Sequence, residues 1–160
     1  MKTVDFEKLK KTVAVGVRMQ DNVINATPYF LEENKKQALG ERRVGLGVMG
    51  LHDMLIYCET VYGSEQGNKL VDQVFEVIAT TAYKTSVELA KEKGSFPFLN
   101  GETREETNRL RQAFIDTGYM KKMPEDVRQS IVENGIRNSH LLTVAPTGKV
   151  IAPSVRKSAA

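Results

Sequence analysis

The stretch at residues 137–149, RNSHLLTVAPTGK, constrains this chain more strongly than any other. Residues 141–145 form a short apolar run, which predicts a strand. The run leads directly into Pro146, Thr147 and Gly148, which predict a tight turn because proline fixes φ and glycine permits a positive φ. The chain is therefore expected to leave a buried segment and to turn within a few residues.

This turn has two interpretations. A tight turn can present several backbone N–H groups to an anion, and the Thr147 hydroxyl and the Lys149 ammonium group add donors. That interpretation is a phosphate loop at the end of a strand. An ordinary turn at the end of a strand has the same composition. Because ordinary turns are more frequent than phosphate loops, these residues alone favour the ordinary turn. A Walker loop is excluded, because Thr143 stands where its leading glycine belongs and Val150 stands where Ser or Thr should follow.

Composition narrows the classes of protein. With 160 residues, 41% hydrophobic and 27% charged, the chain suits one soluble globular domain. No run approaches the roughly 18 apolar residues of a membrane span, and no apolar signal core follows the N-terminus, so a cytoplasmic protein is expected. A net charge of +3 and the absence of tryptophan argue against a nucleic-acid surface. The single cysteine excludes an internal disulfide.

Six helices are predicted from apolar spacing and from capping residues. They are expected at residues 5–27, 31–39, 51–58, 64–93, 103–117 and 124–135. Asp5, Ser64 and Thr103 are the predicted N-caps, and Gly40 is the predicted end of the second helix. Apolar residues cover most of the circumference of the fourth helix, which indicates burial on more than one side or a missing partner surface.

Residues 42–50, RRVGLGVMG, predict a second strand, because apolar side chains alternate with glycines. The bare face of such a strand lets another backbone or a ligand approach closely. Gly45, Gly47 and Gly50 also satisfy the G-x-G-x-x-G pattern, so a small NAD-binding oxidoreductase is an alternative. Its context is poor, since no apolar strand precedes the first glycine and the later acidic residue, Glu65, opens a helix.

The two predicted strands are separated by a long helical crossover, which favours a helix-rich α/β fold with parallel strands. Two strands alone cannot close a barrel. His52 has no second histidine nearby and is interpreted as a surface or hydrogen-bonded residue. Cys58 follows an apolar run and is interpreted as a buried structural thiol, because nothing cationic beside it would stabilise a thiolate.

The two long motifs resemble one enzyme family. RNSHLLTVAPTG, at residues 137–148, resembles the strand and phosphate-binding turn of the large, catalytic subunit of ribonucleotide reductase. ERRVGLGVMGLHDML, at residues 41–55, is similar to an earlier strand-to-helix segment of the same barrel, and the preceding helix is also similar. The resemblance covers residues 4–148 and is nearest to the adenosylcobalamin-dependent class, with the classes that use a separate radical-generating subunit as the alternative.

The resemblance implies a fold and a site. Residues 1–149 would be an internal fragment of the catalytic α/β barrel, with two strands and surrounding helices, and residues 150–160 a solvated tail. The substrate-phosphate loop would comprise Ala145, Pro146, Thr147, Gly148 and Lys149. Lys149 departs from the family pattern, where a small hydroxylated residue is usual, and could add a point charge to the phosphate.

The resemblance also implies an activity that this chain could not perform alone. The family converts ribonucleoside di- or triphosphates to deoxyribonucleotides by thiyl-radical chemistry, for DNA synthesis. Cys58 does not match its radical-carrying cysteine or its reducing pair, so the isolated chain is expected to be inactive, without catalytic residues or a metal site. Adenosylcobalamin is implied only for the full-length family member. The expected partners are a nucleotide and either the remainder of a reductase chain or a second copy, and a non-catalytic helical interaction module is the alternative.

Overall fold

The fold, given by a computed structural model, is described here for residues 3–145. Within that range the six predicted helices are all present. They are α1 Phe6–Ala26, α2 Glu32–Glu41, α3 Leu51–Tyr57, α4 Glu65–Lys93, α5 Arg104–Ile115 and α6 Glu125–Asn134. Two short 3₁₀ turns, Pro97–Leu99 and Met120–Lys122, connect the later helices. None of the helices in this range is long and apolar enough to cross a membrane.

The predicted N-caps are confirmed. Asp5 Oδ1 accepts a hydrogen bond from the backbone N–H of Lys8 at 2.9 Å. Ser64 Oγ accepts from a first-turn N–H of α4 at 3.0 Å, and Thr103 Oγ1 accepts from one of α5 at 3.1 Å. Each cap satisfies a backbone donor that the helix itself leaves without a partner. Local sequence therefore fixes where these helices begin.

The predicted end of α2 at Gly40 is wrong. The helix continues to Glu41, and Arg42 ends it in the left-handed conformation with φ 49°. Gly40 is buried within the helix, and a Cβ atom there would collide with the ring of Phe98. The glycine therefore serves close packing between α2 and a distant aromatic ring, a role that local sequence does not reveal.

The core lies between α1 and α4 and continues on the other side of α4. Along α1, Val13 and Val17 are buried against α4, while α6 packs against a second face of α4 and against α5. Ala82 and Val87 are buried in the middle and second half of α4. The broad apolar surface of α4 thus finds partners on more than one side, as its sequence pattern predicts.

The predicted α/β fold class is wrong for the described part of the chain, which is helix-rich and forms no strand or barrel there. We call residues 43–48 and 139–144 the paired segments. They run side by side in the parallel sense but form only an isolated bridge, between Leu46 and Leu142. The strand predicted from the alternation of apolar residues and glycines is therefore wrong, and a single bridge takes its place.

The reason lies in the hydrogen bonds between the paired segments. Val44 N–H donates to His140 O at 3.0 Å, and Leu46 N–H donates to Leu141 O at 2.7 Å. Donors two residues apart thus reach the carbonyls of consecutive residues, whereas a regular parallel ladder needs acceptors two residues apart. The register shifts by one residue at this point, as in a β-bulge, and no continuous ladder forms.

The glycines of the first paired segment permit this close approach. A Cβ atom on Gly45 would lie 3.1 Å from Thr143 Cγ2, and one on Gly47 would lie 3.1 Å from Thr143 O. The bare face predicted from the sequence is therefore filled by the backbone and side chain of Thr143.

Burial of α1 against α4 can be tested with two valines on the same helix. Val17 is fully buried, whereas Val15 is 69% exposed. Val17→Ala should lower the free energy of unfolding by about 2 kcal/mol, because it removes two buried carbon atoms and leaves a cavity. Val15→Ala should change it by less than about 0.5 kcal/mol. Urea denaturation followed by circular dichroism measures both, and equal losses would contradict this packing.

The close approach at Gly47 gives a second prediction. Gly47→Ala should lower the free energy of unfolding by about 1 kcal/mol, because the added methyl group presses on a backbone carbonyl that cannot rotate away. Gly118→Ala is the matched control, since nothing lies within 4 Å of a Cβ atom there. The control should be neutral or stabilising by up to about 1 kcal/mol, through the lower entropy of the unfolded chain. A stabilising Gly47→Ala would refute the close contact with Thr143.

Candidate functional site

A buried polar network holds the beginnings of the paired segments. Asp21 of α1 is fully buried, and its Oδ1 accepts hydrogen bonds from Arg42 Nε at 2.9 Å, Arg42 Nη2 at 2.8 Å and Asn138 Nδ2 at 3.0 Å. Asn138 Nδ2 also donates to Arg42 O at 3.0 Å. From α4, the Ser86 hydroxyl donates to Asn138 Oδ1 at 2.9 Å. The network therefore joins α1 and α4 to Arg42 and Asn138, the residues that immediately precede the two paired segments.

Two more cations complete the surroundings of Asp21. Arg137 Nε lies 3.4 Å and Lys93 Nζ lies 3.7 Å from Asp21 Oδ2. Arg137 Nη1 also donates to the carbonyls of Lys93 and Gly94 at the end of α4, at 3.0 Å each. Burial, with a smaller effect from nearby Arg42, lowers the pKa of the Arg137 guanidinium. One carboxylate and the C-terminal carbonyls of α4 thus balance three positive side chains.

Asp21 is not among the residues predicted from the sequence, although the sequence contains a signal for it. Asp21 falls on the apolar stripe of α1, four residues after Val17 and three before Ile24, where an unpaired charge would not be tolerated. A carboxylate at such a position indicates a buried cationic partner. The pattern does not identify that partner, which lies beyond the next helix.

At the opposite end of the paired segments there is an open apolar groove of about 340 Å³. Its lining residues come from both paired segments, from α4 and from the turn after α5. They are Leu46, Gly47, Val48, Phe75, Ile78, Ala79, Tyr119, Leu142, Thr143 and Val144. None of these residues has a carboxylate, an imidazole or a thiol. The groove can therefore bind apolar surface, but it cannot itself perform acid–base or thiol chemistry.

Tyr119 contributes a phenol to the groove wall, and Thr143 contributes a hydroxyl group. The Tyr119 ring lies 5.9 Å from that of Tyr83, measured between centroids. Burial raises the pKa of the Tyr119 phenol, and burial together with neighbouring Tyr119 raises the pKa of Tyr83. Both phenols therefore stay neutral near physiological pH and can contribute only hydrogen bonds.

The predicted phosphate turn begins at the rim of this groove. Val144 is 82% exposed, and Ala145, the first predicted site residue, is exposed as well. The other predicted site residues, Pro146, Thr147, Gly148 and Lys149, lie outside the described residues. The chain thus leaves the core where the groove opens.

The other residues singled out in the sequence lie apart from the groove lining. Cys58 is buried at the end of α3, as predicted. His52 is exposed and packs its ring edge-on against Tyr62, with 5.7 Å between centroids, which confirms its surface role. Within residues 3–145 no group of three potential metal ligands comes together.

The G-x-G-x-x-G pattern serves backbone packing. Gly45 and Gly47 contact Thr143, and Gly50, with φ 76°, precedes a helix of only seven residues. A dinucleotide fingerprint instead needs a bare glycine turn open to the pyrophosphate and a long helix behind it. The geometry therefore does not support the NAD-binding alternative.

Comparison with known proteins agrees with the motif resemblance. The family model described as ribonucleotide reductase, barrel domain, matches residues 1–152. A ribonucleoside-diphosphate reductase subunit alpha from Chlamydia pneumoniae is 35% identical over 92% of this chain and 15% of its own length. A vitamin B12-dependent ribonucleoside-diphosphate reductase from Thermoplasma acidophilum is 33% identical over 93% of this chain and 16% of its own length. A subunit alpha from Helicobacter pylori is 32% identical over 90% and 19%.

Two features of these relatives bear on the assignment of the family. The chain spans less than one fifth of the length of each of them. They include both subunit alpha reductases and B12-dependent reductases, so the predicted resemblance is confirmed at the level of the family. The chain therefore belongs to the ribonucleotide reductase barrel-domain family.

Proposed function

We propose that this chain is a segment of a ribonucleotide reductase catalytic subunit, to which it supplies scaffold helices and a substrate-phosphate turn. The observation that carries the proposal is the family match over residues 1–152, which contains the motif at residues 137–149. The complete enzyme would convert ribonucleoside di- or triphosphates to deoxyribonucleotides for DNA synthesis, in the cytoplasm.

The proposed phosphate site comprises Ala145, Pro146, Thr147, Gly148 and Lys149. Exposure rises along the second paired segment, from buried Leu141 to exposed Thr143, Val144 and Ala145. A turn that follows such an exit has backbone N–H groups available for an anion, and Thr147 and Lys149 provide a hydroxyl and a positive charge. Holding a phosphate in this way requires no proton transfer, which fits the lack of acid–base groups in the groove.

The chain lacks the thiols that the reaction needs. Reducing a ribonucleotide takes two electrons from a pair of cysteines, in addition to a cysteine that carries the radical. The sequence contains only Cys58, which is buried at the end of α3. A single thiol cannot form the intramolecular disulfide that supplies two electrons. The chain alone is therefore inactive.

Cobalamin dependence is proposed only for the full-length protein, because several relatives are named vitamin B12-dependent. The cofactor would supply the radical that starts the reaction.

We also propose that the remainder of the reductase polypeptide docks at the apolar groove. The groove wall includes Val144, 82% exposed, and Tyr119, 50% exposed, beside half-buried Phe75. Covering apolar surface is worth about 25 cal/mol per Å², so an open groove of this kind favours a partner surface. The same observation supports the second candidate function, a non-catalytic interaction module that associates with itself.

The phosphate turn can be tested by calorimetric titration with cytidine diphosphate. The full chain should bind with a dissociation constant in the millimolar range, about −4 kcal/mol, as expected for a lone phosphate contact. Thr147→Val should weaken binding several-fold, because it removes a donor while keeping the side-chain shape.

Lys149→Ala tests the charge at the same turn. Binding should weaken, and the remaining affinity should depend less on salt concentration. Lys121→Ala is the matched control, since Lys121 is an exposed lysine on the 3₁₀ turn after α5. If the Lys121 and Lys149 variants bind equally well, the phosphate contact is elsewhere.

Inactivity and docking can be tested together by complementation. The chain alone should reduce no ribonucleotide, whereas mixing it with a related reductase that lacks this segment should restore turnover. Ala79→Arg should abolish the restoration, because it places a charge in the groove, while Gln73→Arg on exposed α4 surface should not. Turnover by the chain alone would refute the account of the thiols. Restoration by the Ala79→Arg variant would refute docking at the groove.

A further inference from the structure

The alignment of the paired segments is weakly specified by their own backbone. Gly45 and Gly47 leave one face of the first segment without side chains, and the hydrogen bonds shift register between Val44 and Leu46. Register is normally imposed by side chains that must face the core, and glycine-rich strands are prone to slip. Something outside the ladder must therefore hold these segments in one alignment.

The buried network ties the two segments together immediately before their backbones pair. Asn138 Nδ2 donates to Arg42 O, and these two residues are 96 positions apart. The bridge pairs Leu46 with Leu142, which are also 96 positions apart. Arg42 and Asn138 each lie four residues before the bridge, on the far side of the register shift at Val44, so their contact fixes where the pairing of the two segments begins.

The Asn138 side chain can make this contact in only one orientation. The side-chain Oδ1 of Asn138 accepts a hydrogen bond from the Ser86 hydroxyl at 2.9 Å, and the backbone N–H of Asn138 donates to Ser86 Oγ at 3.0 Å. The amide nitrogen is thereby directed at Asp21 Oδ1 and Arg42 O. Since Ser86 is on α4 and Asp21 is on α1, the two packed helices fix the amide from both sides.

Asp21 holds the other segment by charge. Arg42 Nε and Nη2 both donate to its Oδ1, while Arg42 Nη2 also donates to the backbone carbonyl of Asp21 at 2.9 Å. Arg137 and Lys93 approach the other oxygen. Without this carboxylate three cations would face one another in a largely buried site, which is strongly unfavourable.

We propose that Asp21, Arg42 and Asn138 are positioning residues that lock the register of the paired segments and thereby set where the chain emerges at Ala145. A slip of one residue would move the exit by roughly 3.3 Å along the segment and would turn Leu142 away from the core. The consequence for nucleotide binding rests on the proposed phosphate turn, whereas the register lock does not.

Hydrogen exchange measured by NMR on the full chain tests the lock. In Asn138→Ala, the amides of Leu46 and Thr143, which form the bridge, should exchange roughly 100-fold faster relative to those of Leu89 and Ala90 in α4. Val127→Ala is the control, because Val127 is buried in α6 and its loss destabilises the fold without touching the network. An equal ratio of exchange rates in the two variants would overturn the proposal.

Asp21→Asn is a second variant, which keeps an oxygen atom for Arg42. If Asn138→Ala does not fold, the same exchange rates are measured in Asp21→Asn. Selective loss of protection at Leu46 and Thr143 supports the lock, and its absence overturns it.

Affinity for cytidine diphosphate should fall about tenfold in the variant that loses register and should not change in Val127→Ala. Unchanged affinity after loss of register would overturn the positioning role. A wild-type chain that binds no nucleotide would refute the phosphate turn, while the exchange data would still decide the lock.

Discussion

The carboxylate of Asp21 is the group on which the described structure most depends. It is fully buried, and its charge is balanced by Arg42, Arg137 and Lys93. Breaking a buried ion pair by removing one partner typically costs about 3–5 kcal/mol, because the other charge is left without compensation. Since the partners of Asp21 lie on the segments and helices around it, this one group couples the packing of α1 and α4 to the position of both paired segments.

The two ends of the paired segments therefore have opposite character. Their beginnings are held by a closed polar network, in which Asn138 and Ser86 are fully buried and satisfied. Their other ends open into an apolar groove beside exposed Val144. A satisfied network rigidifies its surroundings, whereas exposed apolar surface favours a further partner. This polarity is consistent with the proposed role as a segment of a larger reductase subunit, in which substrate and additional polypeptide would meet at the open end.

Local sequence predicts the helices well because caps and apolar spacing act within a few residues, as Ser64 and Thr103 show. It fails where distant residues decide. Gly40 reads as a helix stop until the ring of Phe98 is placed against it. The two predicted strands remain a single bridge, because the hydrogen bonds to His140 and Leu141 shift register in a way that no alternation of residue types reveals.

The site was predicted less completely than the helices. Residue types at the turn suit a phosphate, but only the family resemblance distinguishes a phosphate loop from an ordinary turn, and Ala145 alone falls within the described residues. The groove could not be predicted, since Phe75 and Tyr119 come together with the paired segments only through tertiary packing. Asp21 is recognisable in the sequence as a charged residue on an apolar stripe. Its role becomes clear only from its hydrogen-bond donors, Arg42 and Asn138.

The most direct test of the proposed phosphate turn is a titration of the isotopically labelled chain with cytidine diphosphate, followed residue by residue in amide NMR spectra. The largest shift changes should fall on the amides of Ala145, Thr147, Gly148 and Lys149, and inorganic phosphate should shift the same amides. Shift changes confined to Gly45, Gly47 and Gly50, or none at the turn at millimolar ligand, would contradict the proposed phosphate turn.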